Sequence, residues 1–96
     1  MRVCVRRAGL LTETLPAGGL DVECPPAATL GDLLRLLEAR YGAVIGDELL
    51  AGDRLRDGVA VLVDGRSAAS LAGLQTPLND GAEVFLTVII QGGAGT

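Results

Sequence analysis

The chain has 96 residues, a formal net charge of −4, no histidine, two cysteines and an aromatic content of only 2%. That length suits one domain with a modest core; without histidine, Ser-His-Asp and Cys-His catalysis and histidine-ligated metal are excluded, and two cysteines are too few for a four-cysteine zinc site. With no basic cluster beyond Arg6-Arg7, and Tyr41 and Phe85 as its rings, the chain lacks both the phosphate-neutralising and the base-stacking surface of a nucleic-acid binder.

Val3 and Val5 alternate with Arg2, Cys4 and Arg6, the pattern of a half-buried strand. Leu15-Pro16-Ala17-Gly18-Gly19 is turn material, and Leu20 to Cys24 alternates again, closing a hairpin that Pro25-Pro26 ends. Cys4 and Cys24 fall on these paired strands; a disulfide is conceivable there, and two small apolar residues in a reducing compartment is the plainer reading. Thr29 has the character of a helix N-cap, with Asp32 three residues on as a variant capping box. Leu30, Leu33, Leu34 and Leu37 then recur at spacings of three and four, which predicts a helix ending near Tyr41, with Gly42 as its stop and Arg35, Glu38 and Arg40 on the solvent side.

From Ala43 to Asp57 the pattern is irregular, and Asp47, Glu48, Asp53 and Asp57 read as a solvated acidic face rather than a cation site. Val59 to Val63 is a third strand, Asp64-Gly65 a tight turn, and Arg66 a short return. Leu71 to Leu78 is a loop, and Asn79-Asp80-Gly81 turns the chain into a last strand over 83–90. Residues 92–96 have no core-forming side chain and are expected to form a flexible tail on a domain spanning 1–91. One helix on one face of a small mixed sheet of four to five strands is the α+β arrangement this order requires. Neither the start of the chain nor the stretch from Val84 to Ile90 has the length or composition of a signal or membrane segment, so a cytoplasmic protein is expected.

Asp57-Gly58-Val59-Ala60-Val61-Leu62-Val63-Asp64-Gly65-Arg66, the run Leu74-Gln75-Thr76-Pro77-Leu78-Asn79-Asp80-Gly81-Ala82-Glu83-Val84, and Gly92-Gly93 soon after the final strand together resemble the ubiquitin-like sulfur carriers of the molybdopterin-synthase small-subunit and thiamine-carrier type. The resemblance covers essentially the whole chain, including Thr29 to Leu34 at the helix start. It implies a β-grasp fold and a carrier, not an enzyme, with no catalytic residue and no bound cofactor or metal. In that family an adenylating enzyme of the ubiquitin-activating type uses ATP to convert the last glycine's carboxylate to an acyl-adenylate. A persulfide or sulfide then displaces the adenylate and leaves a thiocarboxylate for a sulfur-accepting synthase. By that resemblance Gly93 is the attachment position and Gly92 its spacer; two residues without Cβ atoms can thread a narrow channel, and six extended residues reach roughly 20 Å.

Two departures stand out. Ala94-Gly95-Thr96 follow the diglycine, which implies trimming by a JAMM-type peptidase, and the prolines common before it are replaced by Val88-Ile89-Ile90-Gln91. The runner-up is a ubiquitin-like modifier joined to targets through processed Gly93; a plain binding module is the third reading. All eight basic residues are arginine, explicable by coding bias or by avoidance of competing amines.

Strand alternation also nominates a docking surface. Val84, Leu86 and Val88 share one face of the last strand and Phe85, Thr87 and Ile89 the other. With Val3, Val5 and Val84 under the helix, Phe85 and Ile89 are left on the open face, beside Leu62 and Cys4, as a partner site. The alternative is that Ala43 to Asp57 folds over that face.

Overall fold

Alternation in β1 (Arg2–Arg7) puts Val3 and Val5, both fully buried, on one side of the strand and the side chains of Arg2, Cys4 and Arg6 on the other. In this computed structural model the described residues are 1–8, 15, 16 and 18–88, without the side chain of Val88. β2 (Leu20–Glu23) pairs antiparallel with β1, Val22 opposite Val3 and Asp21 opposite Cys4. Cys24 continues the inward side of β2 and is buried, whereas Cys4 lies on the outward side of β1, so the two thiols face away from each other across the sheet. Burial pushes the Cys24 thiol pKa up, against a smaller opposing effect of the nearby N-terminal ammonium.

Helix α1 (Leu30–Tyr41) starts as its sequence signals. The Thr29 hydroxyl accepts the Asp32 N–H at 3.3 Å, and the Thr29 N–H donates to Asp32 Oδ2 at 2.9 Å, closing a capping box. Leu30, Leu33, Leu34 and Leu37 are all at most 1% exposed. The helix start is also held from outside. The Leu30 N–H donates to the Thr76 carbonyl at 2.9 Å, Leu78 N–H to the Ala28 carbonyl at 3.0 Å, and Thr29 bridges Pro77. The Thr76-Pro77-Leu78 run is thus the seat of the helix N-terminus, with the Thr76 hydroxyl accepting from Ala72 N–H.

The irregular stretch after Gly42 folds as a six-residue helix, α2 (Val44–Leu49), and a two-stranded hairpin of β3 (Leu50–Ala51) and β4 (Arg54–Leu55). The loop expected over 43–57 is therefore partly regular. Ile45 and Leu49, one helical turn apart, enter the same core as the α1 leucines. Gly46 lies between them, and the Glu38 carboxylate of α1 rests in the space a Cβ there would fill, so a larger residue would make that side chain swing aside.

β5 (Val59–Val63) turns through Asp64 and Gly65, both at positive φ, into β6 (Arg66–Ser67). Two positive-φ residues are what a type I′ hairpin needs. Two short 3₁₀ turns, Ala68–Ser70 and Gly73–Gln75, lie within the connection to β7 (Glu83–Val88). The sheet order is β2-β1-β7-β5-β6, with β1 and β7 parallel at its centre and every other neighbouring pair antiparallel. Inward-facing Val3, Val5, Val61, Val63, Val84 and Leu86 meet the α1 leucines in one core. This is the expected α+β β-grasp arrangement, with five strands. No helix among the described residues is long and apolar enough to cross a membrane.

Candidate functional site

The face of the sheet opposite α1 is built by the residues that alternate with the core. The registers align them in rows. Arg6 stands opposite Phe85, Phe85 opposite Leu62, and Leu62 opposite Ser67, so one row crosses four strands. Beside it Asp21, Cys4 and Glu83 form a second row, and Thr87 stands opposite Ala60 in a third. Phe85 and Leu62 are half-buried, whereas Val84 and Leu86, their neighbours in the core rows, are at most 1% exposed. An aromatic–aliphatic cross-strand pair contributes roughly 0.2–1 kcal/mol, so this pair holds its shape while leaving apolar surface uncovered.

The segment 43–57 does not cover this face: α2 packs beside α1, and its Ile45 and Leu49 join the core on the helix side. Phe85, Leu62 and Cys4 therefore share the open face as the alternation predicts. Of the remaining site residues, Ile89, Gly92 and Gly93 lie outside the described residues, as does the tail 92–96.

The direction in which the chain leaves the sheet is fixed by β7. Parallel pairing with β1 is extended by the Ala8 N–H, which donates to the Leu86 carbonyl at 3.0 Å. On the other side Val88 stands opposite Val59, whose N–H donates to the Arg56 carbonyl at 3.2 Å. Arg56 is itself anchored, its guanidinium donating to the Asp47 and Leu50 carbonyls at 3.1 and 3.3 Å. At the opposite end β7 is started by reciprocal bonds: Glu83 N–H donates to Asp64 Oδ1 at 2.9 Å and Asp64 N–H to the Glu83 carbonyl at 2.8 Å. β7 is thus paired on both sides from Glu83 to Leu86, and among the described residues Thr87 and Val88 pair with β5.

Charge is distributed unevenly over the open face. Asp21, Glu23, Asp64, Asp80 and Glu83 gather where β1 and β7 begin, around Arg2, whose Nε donates to Glu23 Oε1 at 3.2 Å. Arg6 and Arg7 lie where both strands end. Arg6, beside Phe85, was not singled out by sequence reading; its register opposite β7 depends on a parallel pairing that strand alternation cannot reveal. The Asp47, Glu48, Asp53 and Asp57 carboxylates are spread over α2 and two separate turns.

The model of the ThiS family matches residues 11–93 of this chain. Small archaeal modifier protein 3 of Haloferax volcanii is 39% identical over 66 residues, covering 69% of this chain and 71% of that protein. The solution structure of the Haloferax volcanii HVO 2177 protein superposes with a TM-score of 0.83 at 30% identity, covering 97% of this chain and 87% of that one. Urm1 from Trypanosoma brucei gives a TM-score of 0.72 at 31% identity, covering 96% and 95%.

Proposed function

This chain belongs to the ThiS family, and on that premise we propose that it is a ubiquitin-like sulfur carrier whose working group is the carboxyl of Gly93, exposed once Ala94-Gly95-Thr96 is removed. The observation that carries this reading is that the family match stops at residue 93, the second glycine, five residues beyond the last strand in sequence.

The carboxylate alone is a poor acyl donor. An adenylating enzyme joins it to AMP, releasing pyrophosphate from ATP. Sulfide displaces AMP at the carbonyl carbon to give the thiocarboxylate directly, whereas a persulfide gives an acyl disulfide from which a second thiol of the enzyme releases the thiocarboxylate as it forms a disulfide. The protein brings no catalytic group to these steps and binds no cofactor; ATP belongs to the enzyme. Its own part is to be held. Phe85 and Leu62, with Ile89 as the next apolar residue of the same alternation in sequence, form the docking surface for the adenylating enzyme and for the sulfur-accepting synthase. The half-buried pair gives an apolar centre of the kind that dominates interfaces, and Gly92 and Gly93 give a tail thin enough to enter a channel. A JAMM-type peptidase supplies the trimming, and the cytoplasm supplies ATP and reduced sulfur.

The name of the 39% identical relative favours a second reading, conjugation to target proteins through the same glycine. Up to the acyl-adenylate the two readings are the same chemistry; they part at whether sulfur or a protein nucleophile attacks.

The test is ATP-dependent pyrophosphate release with the activating enzyme of the source cell. A chain ending at Gly93 is expected to react and the 96-residue chain to remain inert; equal reaction of both overturns the assignment of Gly93. Mass spectrometry of protein isolated from that cell then separates the readings. A sulfur-for-oxygen exchange at Gly93 marks the carrier, and covalent adducts to other proteins mark the modifier.

A further inference from the structure

β2 is the outermost strand on its side of the sheet, and among the described residues nothing pairs with its outer edge. The ladder with β1 fixes which of its backbone groups are free. Met1 and Cys24 exchange both hydrogen bonds, the Cys24 N–H to the Met1 carbonyl and the Met1 ammonium to the Cys24 carbonyl, each at 2.8 Å. Hydrogen-bonded and non-hydrogen-bonded pairs alternate along an antiparallel ladder. Val22 therefore bonds with Val3, whereas the N–H and C=O of Asp21 and Glu23 point away from β1, out of the sheet edge.

Beneath that edge runs a groove of about 460 Å³ between β2 and α1, its rim formed by Asp21, Val22 and Glu23 of β2 and its other wall by Leu36, Leu37, Ala39 and Arg40. Leu36, Ala39 and Arg40 share one helical face by their spacing, and Leu36 is 38% exposed although the core on the other side of α1 is full. A second hollow continues past Leu36 to Pro25 and Asp32. Above the edge, Asp21 and Glu23 project their carboxylates to the open face. Glu23 is shared with Arg2, and Asp21 has no counter-ion among the described residues.

We propose that β2 receives an extended segment of a partner protein as an added strand, with aliphatic side chains seated in the α1 groove and basic side chains alternating with them beside Asp21 and Glu23. The alternation is imposed by geometry. Side chains of an added strand point in turn to the two faces, main-chain bonds supply affinity and the pockets under alternate positions supply selectivity. The charge selects the occupant. A second copy of this chain, pairing β2 to β2, sets Asp21 and Glu23 against their own like, and like charges opposite each other destabilise a strand pair. Because β1 separates β2 from β7, an added strand leaves Phe85 and Leu62 accessible. The surface is independent of the carrier reading and serves either outcome of it.

The test is a titration of the ¹⁵N-labelled full chain with a seven-residue peptide alternating valine and lysine. Amide shifts are expected along 20–23 and 36–40, with slowed exchange at the Asp21 and Glu23 amides. Asp21→Pro removes an outward N–H that β1 does not use, so binding is lost while the melting temperature holds. Leu36→Glu, at an exposed position, lowers affinity roughly tenfold or more and decides the matter if the proline variant does not fold. A peptide with glutamate in place of lysine is expected to bind roughly tenfold more weakly or worse. Absence of shifts, shifts confined to the Phe85–Leu62 face, or undiminished binding by Leu36→Glu overturns the proposal.

Discussion

Phe85 and Leu86 are neighbours in β7 and share its backbone bonding, yet they belong to different parts of the protein. Leu86 is fully buried under α1 among Val5, Val61 and the helix leucines, while Phe85 lies half-covered on the opposite face beside Leu62 and Arg6. The larger and more apolar of the two is the one left out of the core. Folding alone gives no reason for that choice, since a phenylalanine contributes more burial than a leucine. On the proposed function the two faces of this sheet have different tasks, one to hold the domain and the other to be recognised.

The sharpest way to break this division is to truncate on both sides of it. Leu86→Ala is expected to cost about 2–5 kcal/mol of stability, as deletion of a buried leucine side chain does, read from chemical denaturation. Phe85→Ala is expected to cost less than about 1.5 kcal/mol while weakening the adenylating enzyme's hold roughly tenfold or more, read by calorimetry and by the Michaelis constant for the carrier. Equal stability losses at the two positions mean that the open face is core, and the comparison fails.

A smaller effect tests how the covered face is assembled. Thr29→Ala removes the cap that starts α1 and is expected to cost about 1 kcal/mol. The same box has a pH signature. The Thr29 N–H, and after it the Thr29 hydroxyl, hold the Asp32 carboxyl below the usual carboxylate range. A depressed folded pKa contributes stability that is fully present above the unfolded pKa and is lost as pH falls through the folded one. The gap in melting temperature between the native chain and Asp32→Ala is therefore expected at neutral pH and to close in acid. A gap that persists below that range contradicts the capping origin.

The mildest test uses the cysteines as reporters of the two faces. Cys4, on the open face, is expected to be alkylated by iodoacetamide before Cys24, which is 5% exposed and whose thiol is harder to ionise. Peptide mapping of partly labelled protein reads the order. Labelling of Cys24 first places the wrong strand face outward.

Much of this division was legible before any coordinates. The α1 leucines announce themselves by spacing, Thr29 and Asp32 announce the cap, and period-two alternation assigns Phe85 and Leu86 to different faces. The Asp64-Gly65 turn even sets the register that puts Leu62 opposite Ser67. What was not legible depends on contacts distant in sequence. α2 offers only Ile45 and Leu49 as a periodic pair and carries Gly46, a poor helix former; the Glu38 carboxylate that rests against that glycine comes from another helix. The free edge of β2 was hidden for a similar cause, because strand order, not strand content, decides which strand is outermost. Ile89, Gly92 and Gly93 lie outside the described residues, so their part in the site rests on sequence and family alone.

The parallel pairing of β1 with β7 couples synthesis to function. β7 sits between β1 and β5, so residues 83–88 must be threaded into the sheet before β1 and β5 can belong to one layer. Nearly the whole length of the chain separates the two central strands, a long loop to close before any bond between them repays it. On the ribosome the hairpin and α1 emerge with no sheet centre to cover, and cooperative closure waits for the segment immediately ahead of the diglycine. On the proposed function, the strand that completes the fold is also the one that precedes the diglycine in sequence, so a chain that has not closed its sheet lacks the folded surface an activating enzyme would grip.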